Sequence, residues 1–91
     1  MSEQFSGENM EAWLVSYLGR MLDKKEEDID VDASFDTFGL ESSSIAAMTG
    51  DLSDWLGQEI DPTIVYEHPS ISSLTQQITR LHRREIRGVI E

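Results

Sequence analysis

The sequence contains no cysteine, which removes disulfides, thiolate metal sites and a cysteine nucleophile together. Basic side chains are scarce. Lysine and arginine number 7 against 18 aspartates and glutamates, a formal charge of −11. That balance argues against nucleic acid as a partner, because phosphate backbones need a basic face. It favours proteins with basic docking surfaces, drawn in at long range and weakened by salt. No apolar run is long enough to span a membrane, and no membrane partner is expected. The lead from Met1 to Asn9 is polar and acidic, without the basic and then apolar regions of a signal peptide. A cytoplasmic setting follows as the expectation. No stretch shows the clean alternation of a strand, and no segment repeats.

With 91 residues the chain has room for one domain with a modest core. Residues 1–8 read as a disordered lead. From Asn9 the apolar residues Met10, Trp13, Leu14, Tyr17, Leu18, Met21 and Leu22 recur at helical spacing. Ser6 or Asn9 can cap this helix, and Asp23 should end it. An acidic connection, 23–36, follows, unusually long for so small a domain unless pinned; Ile29, Phe35 and Phe38 are the expected pins. A second helix is predicted from Ser42 to Leu56, with Ile45, Met48, Leu52 and Leu56 inward and Trp55 at the edge. Its other face, Ser43, Ala46, Ala47, Gly50 and Asp54, is small and smooth. A mid-helix glycine costs about 1 kcal/mol relative to alanine, so Gly50 suggests close approach by another surface, inside the domain or outside it. Gly57 suits the helix stop, Pro62 a short helical turn to Val65 or Tyr66, and Ser70 the cap of a last helix carrying Ile71, Leu74, Ile78 and Leu81. The predicted fold is an all-α bundle of three longer helices and one short one, spanning 9–82. From Arg80 the charge inverts, and 83–91 read as a basic tail or linker.

Catalysis finds little support. His68 and His82 form no close-spaced ligand set with acids, and no nucleophile elbow, P-loop or dinucleotide motif is present. The acidic connection imitates a calcium loop: counted from Asp30, oxygen ligands fall at Asp32, Ser34 and Asp36, with Glu41 twelfth. However, the sixth position, where the turn needs glycine, is Phe35, and the eighth is Thr37. Counting from Asp28 puts Gly39 twelfth and loses the bidentate acid. No metal site is expected.

What remains is Phe38-Gly39-Leu40-Glu41-Ser42, which places a hydroxyl where a loop becomes a helix. A helix start has unpaired N–H groups and partial positive charge, so a serine there can hold a phosphate. Ser42 reads as a covalent attachment point rather than a nucleophile.

These residues resemble the phosphopantetheine attachment motif of acyl carrier proteins, usually Gly-Leu-Asp-Ser. The runs Gly50-Asp51-Leu52-Ser53-Asp54-Trp55-Leu56-Gly57 and Pro62-Thr63-Ile64-Val65-Tyr66-Glu67-His68-Pro69-Ser70-Ile71 are similar to polyketide-synthase-type carriers. The resemblance implies a four-helix carrier fold, with 4'-phosphopantetheine from coenzyme A joined to Ser42. Its thiol would hold acyl groups as thioesters, and the sulfur absent from the sequence would come from this cofactor. It also implies a non-catalytic, monomeric carrier in polyketide, fatty-acid or lipopeptide synthesis. Implied partners are a phosphopantetheinyl transferase and acyl-handling enzymes (ligase, acyltransferase, ketosynthase). Glu41 replaces the usual aspartate, Ser43 replaces a usual bulky apolar residue, and Ser43 is the rival attachment site. The expected docking residues are Glu41, Ser43, Ala47, Gly50, Asp51, Asp54 and Val65. Two alternatives stand: a peptidyl or aryl carrier of a nonribosomal system, where Gly-Gly is commoner than Leu40 before the motif's end, and an unmodified acidic helical interaction module.

Overall fold

The computed structural model describes residues 6–90, with side chains through residue 82. Four helices follow in order: α1 (Gly7–Leu22), α2 (Ser42–Leu56), α3 (Thr63–Glu67) and α4 (Ile71–Ile90). No strand occurs among the described residues, only an isolated antiparallel bridge between Ser34 and Ser70.

α1 starts two residues before the expected Asn9. Ser6 is the cap, its hydroxyl accepting from the Asn9 N–H at 3.1 Å, so Gly7 and Glu8 are helical rather than part of a disordered lead. The rest of that lead, 1–5, lies outside the described residues. Met10, Leu14 and Leu18 are fully buried, whereas Met21 and the α4 residue Leu81, both expected inside, are 39% exposed. Leu22, one residue on from Met21, is instead half-buried against the core, and Leu81 lines a surface groove beside α3. Asp23 ends α1 in the left-handed region.

The connection from α1 to α2 is pinned, as its length required. Short 3₁₀ turns form at Glu26–Asp28 and Phe35–Phe38, and Ile29 and Phe35 enter the core. Phe38 and Val31 pack half-buried against it. The connection is also tied by backbone to the start of α4: the Phe35 N–H donates to the Pro69 carbonyl at 2.7 Å, and the Ser72 N–H to the Val31 carbonyl at 2.9 Å. Ser70 and Ser73 cap α4 reciprocally, each hydroxyl accepting the other's N–H at 3.2 Å.

α2 buries Ile45, Met48, Leu52 and Leu56 as its periodicity predicts, and Thr49 as well. The Thr49 hydroxyl is satisfied inside its own helix, donating to the Ile45 carbonyl at 2.7 Å. Gly57, at φ 70°, stops the helix. Ser53 then holds the turn that follows, accepting the Ile60 N–H at 2.9 Å. α3 runs to Glu67, and its end is closed by the His68 N–H donating to the Ile64 carbonyl at 2.9 Å. α4 continues without a break through Ile90; the side chains expected to make 83–91 a basic tail lie outside those described.

Candidate functional site

The turn that presents Ser42 is built from both sides. Phe35 anchors its entrance at 2% exposure and Leu40 its exit at 9%. Between them the chain must reverse. Gly39 does this at φ 76°, its N–H donating to the Asp36 carbonyl at 2.9 Å while the Leu40 N–H reaches Phe35 at 3.4 Å. The left-handed region costs an L-residue roughly 1–2 kcal/mol, which explains a glycine with no neighbour within 4 Å of a would-be Cβ. Leu40 is a core residue that periodicity did not reveal, because it stands alone between a turn and a helix.

With Leu40 held inward, Glu41 and Ser42 are left outward and exposed. Glu41 is the N-cap residue but makes no capping hydrogen bond with its side chain, and no acidic residue occupies the first turn. The first bond of the helical ladder is Ile45 N–H to the Glu41 carbonyl at 2.9 Å. The amides of Ser42, Ser43 and Ser44 therefore precede that ladder and can meet an external acceptor. An exposed hydroxyl on an uncapped helix start fits a phosphodiester in both charge and hydrogen bonding. Ser43 is also exposed, and Ser44 is half-buried.

The rest of the outer face of α2 is open. Ala46, Ala47, Gly50, Asp51 and Asp54 are all exposed, and a Cβ built on Gly50 would meet nothing within 4 Å. No helix of this domain needs that glycine. Val65, expected among the docking residues, is corrected: it is 2% exposed and packs in the core, while its neighbour Tyr66 is 56% exposed. A five-residue helix turns successive side chains about 100° apart, so Val65 inward puts Tyr66 outward.

Asp51 has a second task. It accepts the Tyr17 hydroxyl at 2.7 Å, tying α1 to α2. Burial, then the hydrogen bond and charge of Asp51, raise the Tyr17 phenol from 10.0 to about 12, with Arg20 opposing. Trp13 stacks between the two elements, 5.1 Å from Tyr17 and 5.4 Å from Trp55 by ring centroid. Periodicity placed Trp13 and Tyr17 in the core; they are half-buried, with the stack replacing deeper burial. Among the described residues, no group of three or more histidines and carboxylates converges on a common point.

A family model described as "Phosphopantetheine attachment site" matches residues 12–78. The chain is 36% identical over 73 residues to the acyl carrier protein TtuC of Teredinibacter turnerae, covering 80% of this chain and 84% of that protein. It is 32% identical over 75 residues to a phenolphthiocerol/phthiocerol polyketide synthase polypeptide of Mycobacterium tuberculosis, covering 81% of this chain but 4% of the synthase. Among solved structures, an acyl carrier protein from an Anabaena species with a variant phosphopantetheinylation-site sequence matches with a TM-score of 0.79 at 34% identity. That match covers 84% of this chain and 86% of the other.

Proposed function

This chain belongs to the acyl carrier proteins of the phosphopantetheine-attachment family, and on that premise we propose that Ser42 bears the arm. The protein carries acyl intermediates on covalently held 4'-phosphopantetheine, whose thiol supplies the thioester chemistry. The observation that supports Ser42 is its position: an exposed hydroxyl at the first residue of α2, just after the turn that Phe35 and Leu40 anchor. Ser43 stands one residue further into the helix, about 100° around the axis from Ser42. The chain's own residues do three things here. They hold the hydroxyl outward, keep the first-turn amides available to the phosphate, and offer a smooth acidic surface to the enzymes that visit.

That surface is formed by Glu41, Ser43, Ala47, Gly50, Asp51 and Asp54, with Tyr66 replacing Val65 as the apolar contact from α3. Small side chains allow close approach, and the carboxylates attract a basic partner face. The partners of this reading are a phosphopantetheinyl transferase and the ligases, acyltransferases and ketosynthases that load and process the cargo. The carrier itself catalyses nothing and works in the cytoplasm. Treatment with a transferase and coenzyme A tests the attachment residue: Ser43→Ala should gain the mass of one arm, and Ser42→Ala should gain none. Modification persisting in Ser42→Ala overturns the assignment.

A further inference from the structure

At the far end of α2 from Ser42, a groove of about 330 Å³ opens between the 58–61 turn, α3 and the middle of α4. α2 spans 15 residues, which at 1.5 Å per residue puts the groove about 20 Å along the axis from Ser42. The floor is aliphatic, with Leu81 39% exposed over buried Ile64 and Ile78. The rim carries Glu59, Asp61 and Glu67, all exposed, with half-buried His82 beside Leu81; among the described residues no lysine or arginine lines the groove. Asp61 is held in place, its carboxylate accepting the Thr63 N–H at 3.0 Å. That bond holds the Asp61 carboxyl below its ordinary range.

We propose that this groove docks a cationic amphipathic segment of a partner protein, a second attachment surface separate from the face around Ser42. Charge and polarity select the occupant together. An aliphatic floor gives nothing to a hydrated ion, and a ring of carboxylates repels a free fatty acid or a phosphate. A segment that places aliphatic side chains on the floor and lysine or arginine on the rim satisfies both, the long basic stems adding apolar contact of their own. The volume lies at the small end of the roughly 300–1,000 Å³ of ligand clefts, enough for a few side chains. Because the groove and Ser42 lie at opposite ends of α2, a segment seated here leaves the serine accessible. Its use rests on the carrier reading: an anchored carrier meets its enzymes at a raised effective concentration.

The test uses the carrier already modified at Ser42 and two labelled helical peptides of about twelve residues. One combines leucine and lysine on adjacent faces; the other replaces each lysine with glutamate. The leucine–lysine peptide should bind and shift the methyl resonances of Ile64, Ile78 and Leu81. Neutralising the rim with Glu59→Gln, Asp61→Asn and Glu67→Gln should weaken binding about tenfold; the asparagine retains the oxygen that Thr63 needs. The control Glu27→Gln, Asp30→Asn and Asp32→Asn removes equal charge from the long connection and should leave binding within about threefold. Equal loss in both variants, equal binding of the acidic peptide, or shifts confined to α2 would overturn the proposal. So would self-association of the carrier through the groove at sedimentation-equilibrium concentrations. Arm attachment, read separately by mass in each variant, reports on Ser42 alone.

Discussion

Gly50→Ala separates the stability of this fold from its use. The glycine is mid-helix and exposed, and an added methyl would meet nothing within 4 Å. No burial is gained and no clash is made, so the intrinsic propensity difference of about 1 kcal/mol in favour of alanine should appear in full. For a domain of this size that raises the melting temperature by roughly 4–8 °C. Gly19→Ala is the contrast: its Cβ would stand 3.0 Å from the Lys24 carbonyl oxygen, backbone that cannot move aside cheaply, so that variant should melt lower. A thermal melt followed by circular dichroism reads both. Modification kinetics then read the function: if a partner approaches this face closely, Gly50→Ala should raise the transferase KM for the carrier and spare kcat. A variant no more stable than the wild type refutes the open face. A stabilised variant with unchanged KM refutes close approach at Gly50.

Phe35→Ala should cost about 3–5 kcal/mol, a large share of a total on the order of 5–15, and should slow modification of Ser42 by loosening its turn. Half-buried Phe38→Ala should cost less, with urea denaturation ranking the two. The Tyr17 phenol is raised to about 12 from 10.0, so the stability it contributes is complete below pH 10 and lost as pH rises toward 12. Wild type should therefore lose melting temperature over that window more steeply than Tyr17→Phe, and parallel curves would refute the coupling. Glu41→Lys combined with Asp54→Lys should slow transferase modification at low salt, with the difference shrinking as ionic strength rises. A salt-independent change, or none, would exclude this face.

The three longer helices were legible because each carries a sustained apolar stripe, with Ser70 as a cap and Gly57 as a stop; Ser6 and Asn9 both suited the first cap, and the hydrogen bond from the Asn9 N–H shows that it is Ser6. The turn before Ser42 was legible as well, since Gly39 before a serine-headed helix describes both a chain reversal and a helix start. What the sequence hid depends on partners distant along the chain. Leu40 belongs to no periodic run, so its burial follows from the packed core. The Tyr17–Asp51 bond joins residues 34 positions apart, and Asp51 alone resembles any solvated carboxylate. Val65 misled because it shares a short helix with Tyr66, and five residues hold too little of a period to say which one faces inward. Met21 and Leu81 continue their stripes in register yet are 39% exposed, and spacing alone does not show which stripe residues other elements cover.

The central claim is that one hydroxyl in a run of serines is the tether. Intact mass spectrometry after incubation with a phosphopantetheinyl transferase and coenzyme A tests it most directly. The wild type and Ser43→Ala should each gain the mass of a single arm, while Ser42→Ala should keep the mass of the bare chain. An arm on Ser42→Ala, or none on the wild type, would contradict the account.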